Sequence, residues 1–191
     1  MMANHKRKLV YGVGVNDAPY HDKNCPFLIV WRAMLRRCYS TETNRYQGVY
    51  VADEWLTFMN FRSWMETKDW KGNYLDKDLK VYNSDRYSPE TCMFIPGWLN
   101  STFKRSPIVG PYLLGTGLRP SGKWAATGFN CFHVGMFESE IDAHHAAVED
   151  RMKDLLIKAE SIVDYEIKSA IINRAELIRS IIKSGGIIER I

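Results

Sequence analysis

The run Asp76-Lys77-Asp78 sets one cation between two carboxylates, in a stretch that continues through Tyr87-Ser88-Pro89-Glu90-Thr91-Cys92 to Asn100. Free lysine has a pKa of about 10.4, and neighbouring carboxylates favour its charged form. Lys77 is therefore suited to holding a phosphate oxygen and ill suited to deprotonating water. The simpler account of Leu75 to Asp78 is a polar turn. Two other groupings carry less. His144-His145 reads as a pair of surface histidines on a helix rather than a metal pair, and Gly12-x-Gly14 lacks a strand-to-helix context. The sequence has no phosphate-binding Gly-x-x-x-x-Gly-Lys-[Ser/Thr] loop, no Gly-x-Gly-x-x-Gly and no Gly-x-Ser-x-Gly elbow.

Elements must position these residues, and the pattern predicts where they lie. To about Cys25, Gly12, Gly14, Asn16-Asp17 and Pro19 discourage helix, which predicts an extended arm over 1–25. From Pro26, Phe27, Val30, Trp31, Met34, Leu35 and Cys38 recur at helical spacing, with Arg32, Arg36 and Arg37 off the stripe. Ser40 to Gly48 is a polar loop and Val49 to Val51 a short strand. A second helix fits Asp53 to Glu66 with Asp53 as its cap, and its Trp55, Phe58, Phe61 and Trp64 form a core face. Short strands are expected within Leu75 to Phe94 and a short helix over Pro96 to Phe103. Arg105 to Pro111 reads as a linker.

Strands are then expected over Leu113 to Arg119, Lys123 to Phe129 and Cys131 to Phe137, with a turn at Pro120-Ser121-Gly122. Ser139 and Asp142 resemble a capping box opening a helix to about Glu160. Another helix covers Asp164 to about Ser184 and stops at Gly185-Gly186. Its apolar stripe includes Ile167, Ala170, Ile171, Leu177, Ile178, Ile181 and Ile182. That stripe either packs on the preceding helix or joins a second copy through Ile167, Ile171, Ile178 and Ile182.

Composition bounds the class. With 191 residues, 46% hydrophobic and 25% charged, the chain is long enough for one domain or two small ones. No apolar run reaches the roughly 18 residues of a membrane span, and the basic start lacks the apolar stretch of a signal peptide. The expectation is an intracellular protein with no membrane partner. Cys25, Cys38, Cys92 and Cys131 lie far apart with no Cys-x-x-Cys, which suits reduced, buried thiols rather than disulfides or zinc. A zinc site would have to draw on Cys25 and Cys38 plus histidines. Residues 1–110 hold 16 Lys and Arg against 11 Asp and Glu, whereas 111–191 hold 10 against 11. The positive excess thus accompanies the Asp76 region, as a polyanionic partner would require.

The stretch Trp31 to Asn100 resembles a phage-type subfamily of HNH homing endonucleases. The corresponding pieces are Trp31, Met34, Arg37-Cys38-Tyr39, Tyr46 with Gly48, Glu54-Trp55 with Phe58 and Phe61, and a closing element over Leu75 to Asn100. The resemblance implies a ββα-metal region in which a divalent ion neutralises charge on the scissile phosphate. It places Asp76 and Asn100 on the metal ligands for Mg²⁺ or Mn²⁺, Thr91 on the middle asparagine, and Lys77 on the catalytic histidine; Asp78 is either a further acidic ligand or flanking charge. With histidine replaced, three accounts of Lys77 stand open. It contacts phosphate or the leaving oxygen in an active enzyme with Asp76 as its catalytic partner, or it marks a nuclease that has kept only DNA binding, or it belongs to a turn.

Gly115 to Ala147 resembles the DNA-binding module of plant ethylene-response factors. The matching residues are Gly117-Leu118-Arg119, Gly122-Lys123-Trp124-Ala125-Ala126, Val134-Gly135 with Phe137, and Glu140 to Ala146. The resemblance implies a three-stranded sheet in the major groove, braced by a helix, with Arg119, Lys123 and Trp124 contacting bases, phosphates and sugars. The alternative is a solvated hairpin with Trp124 in the core.

Together these readings predict an α+β chain with a degenerate ββα-metal region, a small three-stranded sheet packed on a helix, and a helical C-terminal tail. The expected division is an arm at 1–25, an HNH-like region at 26–106, a sheet-plus-helix module at 111–160 and a tail at 161–191. The expected function is metal-dependent nicking or cleavage of double-stranded DNA. The alternative is an inactive DNA-binding or host-protein-binding regulator on the same scaffold, in the host cytoplasm if phage-encoded.

Overall fold

A computed structural model describes residues 8–41, 48–103 and 111–189. The chain is α+β, with mixed helices and three small sheets among these residues. It divides into two compact units, Met1–Gly97 and Trp98–Ile191. No helix among the described residues is long and apolar enough to cross a membrane.

The first unit is built on α1 (Pro26–Tyr39), which Pro26 opens at a position where its missing N–H costs nothing. Its Trp31, Met34 and Leu35 are buried, and the Trp31 indole donates to the Trp55 carbonyl at 2.6 Å. Trp55 sits in a 3₁₀ turn at Asp53–Leu56, followed by α2 (Phe58–Glu66). The expected aromatic core face forms: Trp55 meets Phe61 and Trp64 at ring separations of 5.1 and 4.5 Å, and Trp64 meets Phe94 at 5.7 Å. Asp53 does not cap α2, because the intervening 3₁₀ turn carries it away from the helix start. Asp17, from the N-terminal segment, accepts from the Met59 amide at 2.9 Å instead. Among its described residues, 8–25, that segment has no helix, as expected, yet it is stitched into the core. Val15 exchanges backbone bonds with Leu56 and Phe58, and a Cβ on Gly14 would lie 2.4 Å from a methyl of Leu35.

Two short sheets complete this unit. Strand β1 (Tyr50–Val51) runs parallel to β3 (Arg86–Tyr87), and β2 (Asn73–Asp76) is antiparallel to β4 (Met93–Pro96), with Asp76 opposite Met93. In chain order, α3 (Gly97–Thr102) follows β4.

The second unit holds the three-stranded sheet β5 (Thr116–Leu118), β6 (Trp124–Thr127) and β7 (His133–Phe137), all antiparallel with β6 central. Against it lies α4 (Glu140–Ala159), opened by Ser139, whose hydroxyl accepts from the Asp142 amide as the capping pattern predicts. Ala143 and Ala147 present small side chains to Ala126, so sheet and helix approach closely. Next to α4 is α5 (Tyr165–Lys183), capped by Asp164 and ended by Gly185 at φ 75°, with the Gly185 and Gly186 amides bonded to Ile182 and Ile181. Ile167, Ile171 and Ile178 are buried within the chain. The first of the two expectations, packing within the chain, accounts for these three, whereas Ile181 and Ile182 are half-buried and Leu177 is exposed.

Gly115 shows how tight the sheet–helix contact is. It adopts φ 79°, and a Cβ there would lie 2.6 Å from the Ala147 Cβ and 2.9 Å from the Thr127 carbonyl. Gly122 has the same φ but open space around it. Gly115→Ala is expected to cost about 2–4 kcal/mol, backbone strain plus overpacking. Gly122→Ala should cost only the strain, about 1–2 kcal/mol. Urea denaturation of the two variants checks the difference.

Candidate functional site

Asp76 ends β2 and folds back on its own turn. Its Oδ1 accepts from the backbone amides of Asp78 at 3.0 Å and Leu79 at 2.7 Å, an aspartate turn of the kind that competes with regular structure. The side chain is 7% exposed. Burial pushes its carboxyl above the usual range, opposed by the Leu79 and Asp78 amides and the nearby Lys77 charge, and reinforced by the Asp78 charge.

Lys77 is 3% exposed. Its ammonium donates to the Ser84 carbonyl and to Asp78 Oδ1 at 2.8 Å, and lies 5.9 Å from the centre of the Tyr87 ring. Such a group is not presented to a ligand. The resemblance expects Lys77 to meet phosphate; two of its three N–H donors instead go to acceptors within the 77–84 loop. Arg37, from α1, donates to the Tyr87 hydroxyl at 3.4 Å, and the Tyr39 hydroxyl accepts from Val51. Burial pushes the Cys38 thiol up to about 11 and Cys92 up to about 12, so both are neutral thiols near pH 7.

Thr91 braces the same loop. Its hydroxyl donates to the Arg86 carbonyl at 2.7 Å and accepts from the Ser88 amide at 3.1 Å, while Ser88 Oγ lies 3.3 Å from the Thr91 amide it accepts from. The Ser88-Pro89-Glu90-Thr91 segment is thus a self-bonded turn leading into β4. Tyr46, part of the expected loop, lies outside the described residues.

The first unit brings Asp76, Lys77 and Thr91 into one loop system. Asn100 lies half-buried in α3, in the second unit. A magnesium ion needs several oxygen ligands in near-octahedral array. Within the first unit Asp76 gives one oxygen to two amides, Asp78 gives one to Lys77, and the Lys77 ammonium beside them opposes a second cation. This bonding is that of a capped turn. Among the described residues no three His, Cys, Asp or Glu side chains gather as a metal group.

In the second unit, Arg119 and Lys123 flank the turn between β5 and β6. The Arg119 amide donates to the Lys123 carbonyl and the Gly122 amide to the Arg119 carbonyl, both at 2.9 Å. Both side chains are exposed, and Lys123 pairs with Glu138 at 2.6 Å. That exposed pair is weak and readily exchanged. Trp124 is half-buried on the α4 side, packed with Ala126, Ala143 and Ala147 and edge-on to Tyr112 at 5.2 Å. Of the three expected contact residues, Arg119 and Lys123 face solvent and Trp124 serves packing. His144 was expected on the surface but is buried; its phase with Ala143, Ala147 and Val148 on α4 carried that signal. In comparisons with known proteins, no family model, curated protein or solved structure matches the chain.

Substitutions at two positions test the turn. Asp76→Asn keeps the oxygen that holds the two amides and removes a charge disfavoured by burial, so thermal stability should hold or rise; Asp76→Ala should lose about 1–3 kcal/mol. Lys77→Ala leaves the Asp78 carboxylate and Ser84 carbonyl without their donor and should cost about 3–5 kcal/mol in chemical denaturation.

Proposed function

We propose that this chain binds double-stranded DNA without cutting it, as a regulator assembled from nuclease-type parts. The observation that carries the non-cutting half is the Lys77 ammonium, buried and tied to Ser84 and Asp78. That is the position the resemblance gives to the water-activating histidine, and a buried ammonium held by two acceptors is no base. The binding half is supported by the two sequence resemblances, by the positive excess in residues 1–110, and by exposed Arg119 and Lys123 at a hairpin whose backbone is fixed by its own turn. Exposed Arg32 adds a cation on α1.

A second reading, capture of a host protein, draws on one observation. Beside β7 and α4 an open groove of about 560 Å³ is lined by Met136, Phe137 and Ala146 with Glu138, Asp142 and Glu149. Its acidic rim would repel a duplex and suits a basic protein surface.

The test is incubation of the full chain with supercoiled plasmid and Mg²⁺ or Mn²⁺, alongside a mobility-shift series on duplex DNA. Expected are intact plasmid at every metal concentration and an affinity falling linearly in log–log form with salt. Arg119→Ala should weaken binding and flatten the salt slope by about 0.9 if one phosphate contact is lost. Nicking by the wild-type chain that Asp76→Ala removes would sink the non-cutting half. Failure to shift any duplex at low salt would sink the binding half.

A further inference from the structure

In the second unit two successive histidines of α4 hold the chain end. His144 is fully buried. Its Nδ1 lies 2.8 Å from the Leu114 carbonyl oxygen, just ahead of β5, and its Nε2 lies 2.9 Å from the backbone nitrogen of Ile188, beyond α5. A carbonyl only accepts and a backbone N–H only donates. The ring therefore has one workable form: neutral, with its proton on Nδ1 and the Nε2 lone pair turned to Ile188. His145 Nε2, 2.8 Å from the Gly186 carbonyl oxygen, donates to it. The Ile188 side chain is buried, so these bonds seat an apolar anchor.

We propose that His144 is a pH-sensitive latch, holding residues 186–188 on α4 while neutral and releasing them when protonated. A proton on Nε2 turns the acceptor into a donor aimed at the Ile188 N–H. The bond is lost, two donors face each other, and a cation is left where water is excluded. Burial already holds this imidazole below the usual histidine range; the Leu114 carbonyl opposes that shift, His145 adds to it, Glu140 opposes it and Arg151 adds to it. The segment 113–116 brings no titratable side chain, although Glu140 Oε1 accepts from the Leu113 amide and the Thr116 hydroxyl. The tail brings Glu189 next to Ile188, and α5 ends in exposed Lys183.

The sign follows from linkage. The released state binds protons with the ordinary histidine value near 6.5 and the latched state with a lower one. The latch is at full strength above that value and weakens as pH falls. Between the two values, opening becomes easier by about tenfold per pH unit.

Nitrogen-15 NMR and amide exchange on the folded full-length chain test this without relying on a variant that might misfold. At neutral pH the His144 Nε2 resonance should be that of an unprotonated ring nitrogen. As pH falls below about 6.5, Ile188 protection should drop about tenfold per unit and level off only where the His144 ring of the folded chain itself takes up a proton. The Val148 and Met152 amides within α4 should stay protected, and Glu140→Gln should keep the pH response, with the His144 titration displaced further down. The latch is overturned by a protonated Nε2 at neutral pH. It is equally overturned by Ile188 protection unchanged down to about pH 4, by equal loss across α4, or by a pH response that Glu140→Gln abolishes.

Discussion

A lysine ammonium taken out of water must find acceptors in the protein, and the 77–92 segment is arranged around that demand. Lys77 reaches the Ser84 carbonyl seven residues on and the Asp78 carboxylate next door. The first bond closes the loop, and the second supplies the opposite charge that makes burial tolerable. With the loop closed at Ser84, the chain arrives at Arg86–Tyr87 in position to pair with β1, and Ser88 and Thr91 then turn it into β4. The Asp76 carboxylate fixes the first corner of this path. In three dimensions most hydrogen bonds of Asp76, Lys77 and Thr91 go to backbone groups.

This is why the site was only partly legible. The sequence singles out Asp76, Lys77 and Thr91 because their types and order resemble a metal-dependent nuclease, and the fold does gather those three into one loop system. What it could not reveal is the direction of each side chain. The partners are mostly backbone amides and carbonyls, which every residue carries and no motif marks. A Lys between two Asp also has the signature of a solvated run, since charged residues are rarely buried without partners.

The fold was more readable where local chemistry decides. The α+β class, the start of α1 at Pro26, the Ser139 cap and the glycine stop after α5 all follow from rules acting over a few residues. Pairings set by distant segments were not readable. Strand β1 has two residues and pairs in parallel with another two-residue strand near Arg86, so alternation has no length over which to show. His144 sat in phase with the apolar face of α4, yet its polarity and its histidine neighbour suggested the surface.

The Asp17 carboxylate on the Met59 amide joins groups 42 residues apart. A helix cap usually comes from the residue beside the helix, so that a fragment can carry its own start signal. Here α2 borrows its acceptor from a segment whose sequence predicts an extended arm. The first turn of α2 and the docking of that segment therefore form or melt as one event, and a boundary at residue 25 separates two sequence patterns but not two cooperative units.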